Sequence, residues 1–127
     1  MIYVDSNYYK EVYKGLSIDD EELEKRLKEA SQKVDVLTFN RVRNLGFENC
    51  SDFEKEIIRE VTCQIVDFYK ENEDDLKTLL NEYSINGVTM KFGESNNNIV
   101  NVNGITILRS TYQLLNTTRF TSLNLNW

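Results

Sequence analysis

Histidine is absent from this chain of 127 residues, and so is proline. Without an imidazole, the sequence holds neither a Ser–His–Asp triad nor a Cys–His pair. Only two cysteines are present, Cys50 and Cys63, with no sulfur or imidazole companion nearby. That excludes a structural zinc set, and in a reducing compartment both are expected as free thiols, Cys63 near the edge of the core. Glycine occurs five times, without a GxGxxG run or a Walker A loop to cradle phosphates. No apolar run approaches the roughly 20 residues that span a bilayer. The opening stretch MIYVDSNYYKEVYKG has an early acid and no apolar centre, so it does not read as a signal peptide, and a cytoplasmic origin is the expectation. Acidic residues stop at Glu94: residues 1–94 carry −8 (13 basic, 21 acidic), and residues 95–127 carry +2 from Arg109 and Arg119. A net charge of −6 disfavours direct binding to nucleic-acid phosphates.

What is present is hydrophobic periodicity. Ser51 to Tyr69 opens with Ser51 and, three residues on, Glu54, the pattern of a capping box. Phe53, Ile57, Val61, Ile65 and Phe68 follow at steps of three and four, with Ile58 and Tyr69 beside them. This predicts a central helix with an apolar face broad enough to meet more than one neighbour. A long helix is expected from about Asp19 to Asn44. Its stripe is Leu23, Leu27, Ala30, Val34, Leu37 and Val42, with Asp20, Glu21 and Glu22 at its positive end and Arg41 and Arg43 at the other. Gly46 ends it, and the short connection to Ser51 makes the two helices antiparallel. A short helix from Asp5 to Lys14, capped by Asp5 and closed by Gly15 in a left-handed conformation, carries the tyrosine cluster Tyr8, Tyr9 and Tyr13, read as packing.

The pattern then changes. Val88, Met90 and Phe92 alternate with polar residues after the turn dipeptide Asn86-Gly87, a strand signal within Ser84 to Gly93. Ile99, Val100 and Val102 make a second short strand or a lead into the last helix, expected over Ile105 to Asn116. The acids Glu71, Glu73, Asp74 and Asp75 lack the glycine and alternating ligands of an EF-hand loop. Of the carboxylates, Asp35 and Asp67 lie nearest apolar faces and read as helix-flank residues or partners of an arginine such as Arg41 or Arg59. No catalytic residue, cofactor or metal is expected, and the protein is read as not an enzyme. At the end, Phe120 precedes Leu123, Leu125 and Trp127, which alternate with asparagines, an uncharged strand-like tail expected to pair with another chain, with folding back on its own bundle as the alternative. The fold class is therefore mainly α. It comprises a bundle of three to four helices over residues 1–118, with a β-hairpin or protruding loop at about 84–103, and an extended C-terminal arm over 119–127.

The order of several stretches resembles the head–tail connector, or adaptor, proteins of long-tailed bacteriophages. Tyr13-Lys14-Gly15 with Ile18, Asp20 and Leu23 is similar to the family's opening. Ala30-Ser31, Val34-Asp35, Thr38 and Arg41 are similar to its "A-S-x-x-I-D-x-x-T-x-x-R" helix. Tyr83 to Met90 is similar to its "Y-S-x-G-x-x-S-V-x-F" hairpin region, and Tyr112 to Thr117 to its "A-Y-x-x-L-x-x-T-G-L" finish. Two stretches depart from the pattern: Thr117-Thr118-Arg119-Phe120 replaces the usual T-G-L, and Glu71 to Asn81 is longer and more acidic. The resemblance implies a structural virion protein of the neck, assembled in the host bacterial cytoplasm. It implies a ring of copies, dodecameric in the virion, beneath the portal protein. The ring extends the channel through which DNA passes without specific binding, and it docks a stopper or tail-completion protein; no membrane is involved. On this reading Arg119, Phe120, Leu123, Leu125 and Trp127 dock the portal, and Val88, Met90 and Phe92 contact a ring neighbour or the next neck protein. The alternatives are another neck protein (stopper or tail-completion) or, from a different class, a small acidic inhibitor that mimics DNA.

Overall fold

The structure is a computed structural model that describes residues 2–74 and 98–122. The expected strand at Ser84 to Gly93, including Val88, Met90 and Phe92, and the tail residues Leu123, Leu125 and Trp127 lie outside the described residues. What is described is mainly helical with a two-stranded antiparallel hairpin. A π-helical turn (Tyr8–Tyr13) leads to α1 (Asp20–Leu37), α2 (Arg41–Leu45) and a 3-10 turn (Phe47–Asn49). The central helix α3 (Asp52–Glu71) follows, then β1 (Ile99–Val102), β2 (Ile105–Leu108), α4 (Arg109–Leu115) and a last 3-10 turn (Arg119–Thr121).

The central helix begins as its sequence dictates. The Glu54 amide donates to Ser51 Oγ at 3.1 Å and the Ser51 amide donates to Glu54 Oε1 at 2.9 Å, so two of the helix's orphan donors are satisfied reciprocally. Its buried positions are Glu54, Ile58, Val61, Thr62, Cys63, Ile65, Val66 and Phe68. Phe53, placed on that face by the periodicity, is 54% exposed, one turn too early to reach the core. Cys63 is fully buried rather than at the core's edge. Helix α3 packs on α1, α4, β2 and the π-helical turn. It runs antiparallel to α1: Lys70 near its end pairs with Glu22 at the start of α1 at 2.8 Å.

The long helix expected to Asn44 breaks. Its stripe steps by four and three from Leu23 to Leu37, and the next residue of the stripe, Val42, comes five later. A continuous helix would turn Val42 off the core. Instead Phe39 and Asn40 adopt left-handed conformations, at φ 56° and 59°. The Asn40 amide reaches Asp35 O at 2.8 Å, and Thr38 Oγ1 donates to Val34 O at 2.8 Å, so the turn's polar groups are paired. The break re-aims α2 and buries Val42 completely.

The last helix also starts later than expected. Ile105 to Leu108 is strand, pairing Val102 with Ile105 and Ile99 with Leu108. Asn103 and Gly104, at φ 53° and 85°, form the two-residue connection whose twist matches a hairpin. Tyr69 Oη donates to Thr106 O at 2.9 Å and fastens the hairpin to α3. Thr111 Oγ1 donates to Gln64 Oε1 at 2.7 Å and does the same for α4.

Candidate functional site

Three arrangements carry polar chemistry. The first gathers Tyr3 and the stretch from Phe120 to Ser122 on α1 and α2. Ser31 Oγ accepts the Tyr3 amide at 3.1 Å, and the Asp35 carboxylate accepts the Tyr3 hydroxyl. Asp35 thus serves a tyrosine rather than an arginine. Arg41 donates through Nη1 to Phe120 O at 3.3 Å and to Ser122 O. Thr118 Oγ1 donates to Leu115 O at 2.7 Å and accepts the Phe120 amide at 3.3 Å, closing the chain into its final turn.

The proposed portal-docking residues divide at this point. Phe120 is fully buried in the main core, so its side chain is a packing residue and offers no docking surface as the chain stands. Arg119 is half-exposed and donates through Nε to Glu54 Oε2 at 2.9 Å. The expected arm from residue 119 therefore starts no earlier than Ser122. Burial pushes the Glu54 carboxyl up, but the Ser51 amide and the Arg119 guanidinium outweigh it and hold the group below the ordinary glutamate value.

The second arrangement is a tyrosine pair on one carboxylate. Asp67 accepts the Tyr9 hydroxyl at Oδ1 and the Tyr13 hydroxyl at Oδ2, the latter at 2.8 Å. Tyr9 Oη also accepts the Leu16 amide at 2.9 Å, and its ring stacks on Tyr13 with centroids 5.6 Å apart. Asp67, like Asp35, is therefore a tyrosine partner and not an arginine partner. Burial first, and then the bond to Asp67, pushes both phenols well above their usual range. The sequence named the carboxylates and the tyrosines separately. Their pairing spans more than 50 residues and follows from the tertiary fold alone.

The third arrangement is an acidic groove along the outer face of α3. Two clefts, of about 470 and 390 Å³, meet at Tyr13. Glu56, Glu60, Asp67 and Glu71 recur along the floor at steps of four, seven and four, a span of about 22 Å at helical rise. Between them lie Ile57 and Phe68. Val12, 63% exposed, walls one side and Leu114 the other. Among the described residues, no lysine or arginine lines either cleft. Glu56, Glu60 and Glu71 form no ion pair with any described residue. The sequence signal was available, because these acids occupy one side of the amphipathic pattern, but they read as an ordinary solvated face. What makes a groove of them is the pair of walls.

Among the described residues, no three His, Cys, Asp or Glu side chains cluster to hold a metal ion. Both cysteines are buried thiols, and burial pushes Cys63 up. None of the described helices is long and apolar enough to cross a membrane.

Fold and surfaces together define a small helical bundle with a hairpin and an acidic, walled groove. Compared with protein-family models, curated proteins and solved structures, the chain matches none.

Proposed function

We propose that this protein is a head–tail connector of a tailed bacteriophage. It forms a ring beneath the portal protein, extends the DNA channel and docks the stopper or tail-completion protein. The observation that carries the reading concerns the helix most similar to the family's motif. In that helix Ser31 and Asp35 hold Tyr3, and Arg41 holds the carbonyls of Phe120 and Ser122. These motif positions thus hold Tyr3 and the stretch from Phe120 to Ser122 on the body. A body that holds the chain at Ser122 suits an adaptor that hands the residues after it to a neighbouring protein. The acidic body is consistent with a channel along which DNA slides without adhering. The mainly helical content favours an adaptor over a stopper, for which more strand is the expectation.

The test is retention by the portal protein and position in virions. The full chain is expected to be retained by assembled portal rings and to appear as ring density at the neck in electron micrographs. A variant lacking residues 123–127 is expected to keep its helical dichroism and lose portal retention. A chain absent from virions and ignored by portal rings overturns the reading. Retrieval of a DNA-handling enzyme by a monomer moves it to the DNA-mimic class.

A further inference from the structure

The α1–α2 break builds an exposed knob. Val36 and Phe39 are 44% and 42% exposed, and the Arg41 guanidinium lies 5.0 Å from the Phe39 ring centroid. Arg43 is exposed and forms no ion pair with any described residue. The stretch from Val36 to Phe47 contains two arginines and no acid. Phe39 holds its ring outward from a left-handed backbone, a conformation rare for a bulky side chain. Strain of this kind persists where surrounding structure imposes it, and it concentrates at contact and functional sites.

The groove on α3 has the complementary character. It offers four carboxylates along its floor, none with an ion-pair partner among the described residues, and of these only Asp67 is taken up by the tyrosine hydroxyls. Its 390 Å³ cleft places Glu56 and Glu60 beside the apolar groups of Val12, Ile57 and Leu114. The Phe39 ring and, four residues on, the Arg43 guanidinium, which forms no ion pair with any described residue, would meet there an apolar seat and a carboxylate.

We propose that the occupant of the groove is a second copy of this chain: the Phe39–Arg43 knob of one copy seats between Ile57 and Leu114 of the next, with Arg43 against Glu56 and Glu60. Knob and groove are different patches of one molecule, so the contact is heterologous. Each copy keeps one free knob and one free groove, and repetition either closes a ring or runs on as a filament. The inference deepens the ring reading above by naming the surfaces that join neighbours. It does not require the ring to sit at a viral neck. Charge steering across the contact gives it a marked dependence on salt.

The experiment uses the full chain and two variants in sedimentation equilibrium from micromolar to millimolar concentration. One variant loses the knob (Phe39→Ser with Arg43→Ser), and the other loses the groove charge (Glu56→Lys with Glu60→Lys). The wild type is expected to gain mass with concentration, and each variant alone to stay monomeric with unchanged helical dichroism. Mixed, the variants are expected to form a one-to-one dimer and nothing larger, because only one intact knob and one intact groove are present. A single chain carrying Arg43→Glu and Glu60→Lys is expected to recover at least tenfold in association over either charge reversal alone. A wild type that remains monomeric throughout, or folded variants that associate as it does, overturns the proposal. So does a mixture of folded variants that forms no dimer. Loss of association from the groove variant alone, with the knob variant unaffected, also overturns it and assigns the groove to a different patch of the neighbouring copy. Self-association through these faces by a chain that portal rings ignore removes the neck reading and leaves this one standing.

Discussion

A β-carbon on Gly15 would stand 2.2 Å from Cζ of Tyr9. The sequence suggested Gly15 as the left-handed end of the first helix, but Lys14 takes that conformation, at φ 57° and ψ 56°. Gly15 is needed because the Tyr9 ring passes over it. Gly15→Ala is therefore expected to displace the ring together with its bonds to Asp67 and Leu16, at roughly 1–3 kcal/mol, the usual range for overpacking. Gly104→Ala is the contrasting case: its added carbon meets nothing within 4 Å, but φ is 85°. The strain there is expected to cost about 1–2 kcal/mol without disturbing any tyrosine. Urea unfolding gives both costs, and near-ultraviolet dichroism separates their causes.

Tyr9→Phe keeps the ring and removes the hydroxyl. The Leu16 amide then loses its acceptor and Asp67 one of its donors. Leaving such groups unpaired is expected to cost roughly 1–3 kcal/mol.

The same phenols predict an alkaline limit to stability. Tyr9 and Tyr13 are pushed up by burial and by Asp67, so the folded chain keeps protons that the unfolded chain releases. Their contribution is complete below the ordinary tyrosine value of about 10 and declines as the pH rises above it. Urea midpoints followed from about pH 8 to about pH 11 should fall less steeply in a Tyr9→Phe, Tyr13→Phe variant than in the wild type.

Glu54 acts in the opposite direction. Its carboxyl is held below its ordinary value, so its contribution is present above about pH 4.3 and is lost as the pH falls through the folded value. Glu54→Gln is expected to flatten the acid limb of the stability profile. At neutral pH it should cost less than about 1 kcal/mol, because the Arg119 side chain is 45% exposed and solvent screens the pair.

Phe120 and Phe53 exchange the roles their sequence positions suggest. Phe120, near the chain's end, is fully buried, and Phe120→Ala is expected to destabilise by about 3–5 kcal/mol. Phe53, inside the central amphipathic pattern, is more than half exposed, and Phe53→Ala should stay within about 0.5 kcal/mol of wild type. Thermal unfolding of the two variants distinguishes them.

These contrasts show which physics local sequence carries. The capping box at Ser51 and Glu54 was legible because both partners lie within one turn. The stripe from Leu23 to Leu37 was legible because helical geometry repeats it. The step of five to Val42 held the signal for the break, but two left-handed residues in a row, one of them phenylalanine, have no strong local signature. The hairpin was legible in Asn103-Gly104 between two four-residue apolar runs. It was masked by the helical spacing of Ile107, Leu108, Tyr112 and Leu115, which strand and helix share between them. The tyrosine–carboxylate pairs, the hold of Arg41 on Phe120 and Ser122, and the walled groove depend on residues tens of positions apart. No window of sequence contains both halves of any of them.

The grip of Arg41 on the carbonyls of Phe120 and Ser122 has a mechanical consequence. A pull applied at Ser122 would load α2 through Arg41 and the start of the central helix through the pair of Arg119 with Glu54. Force would thus enter the bundle at its flank, near the two left-handed residues Phe39 and Asn40.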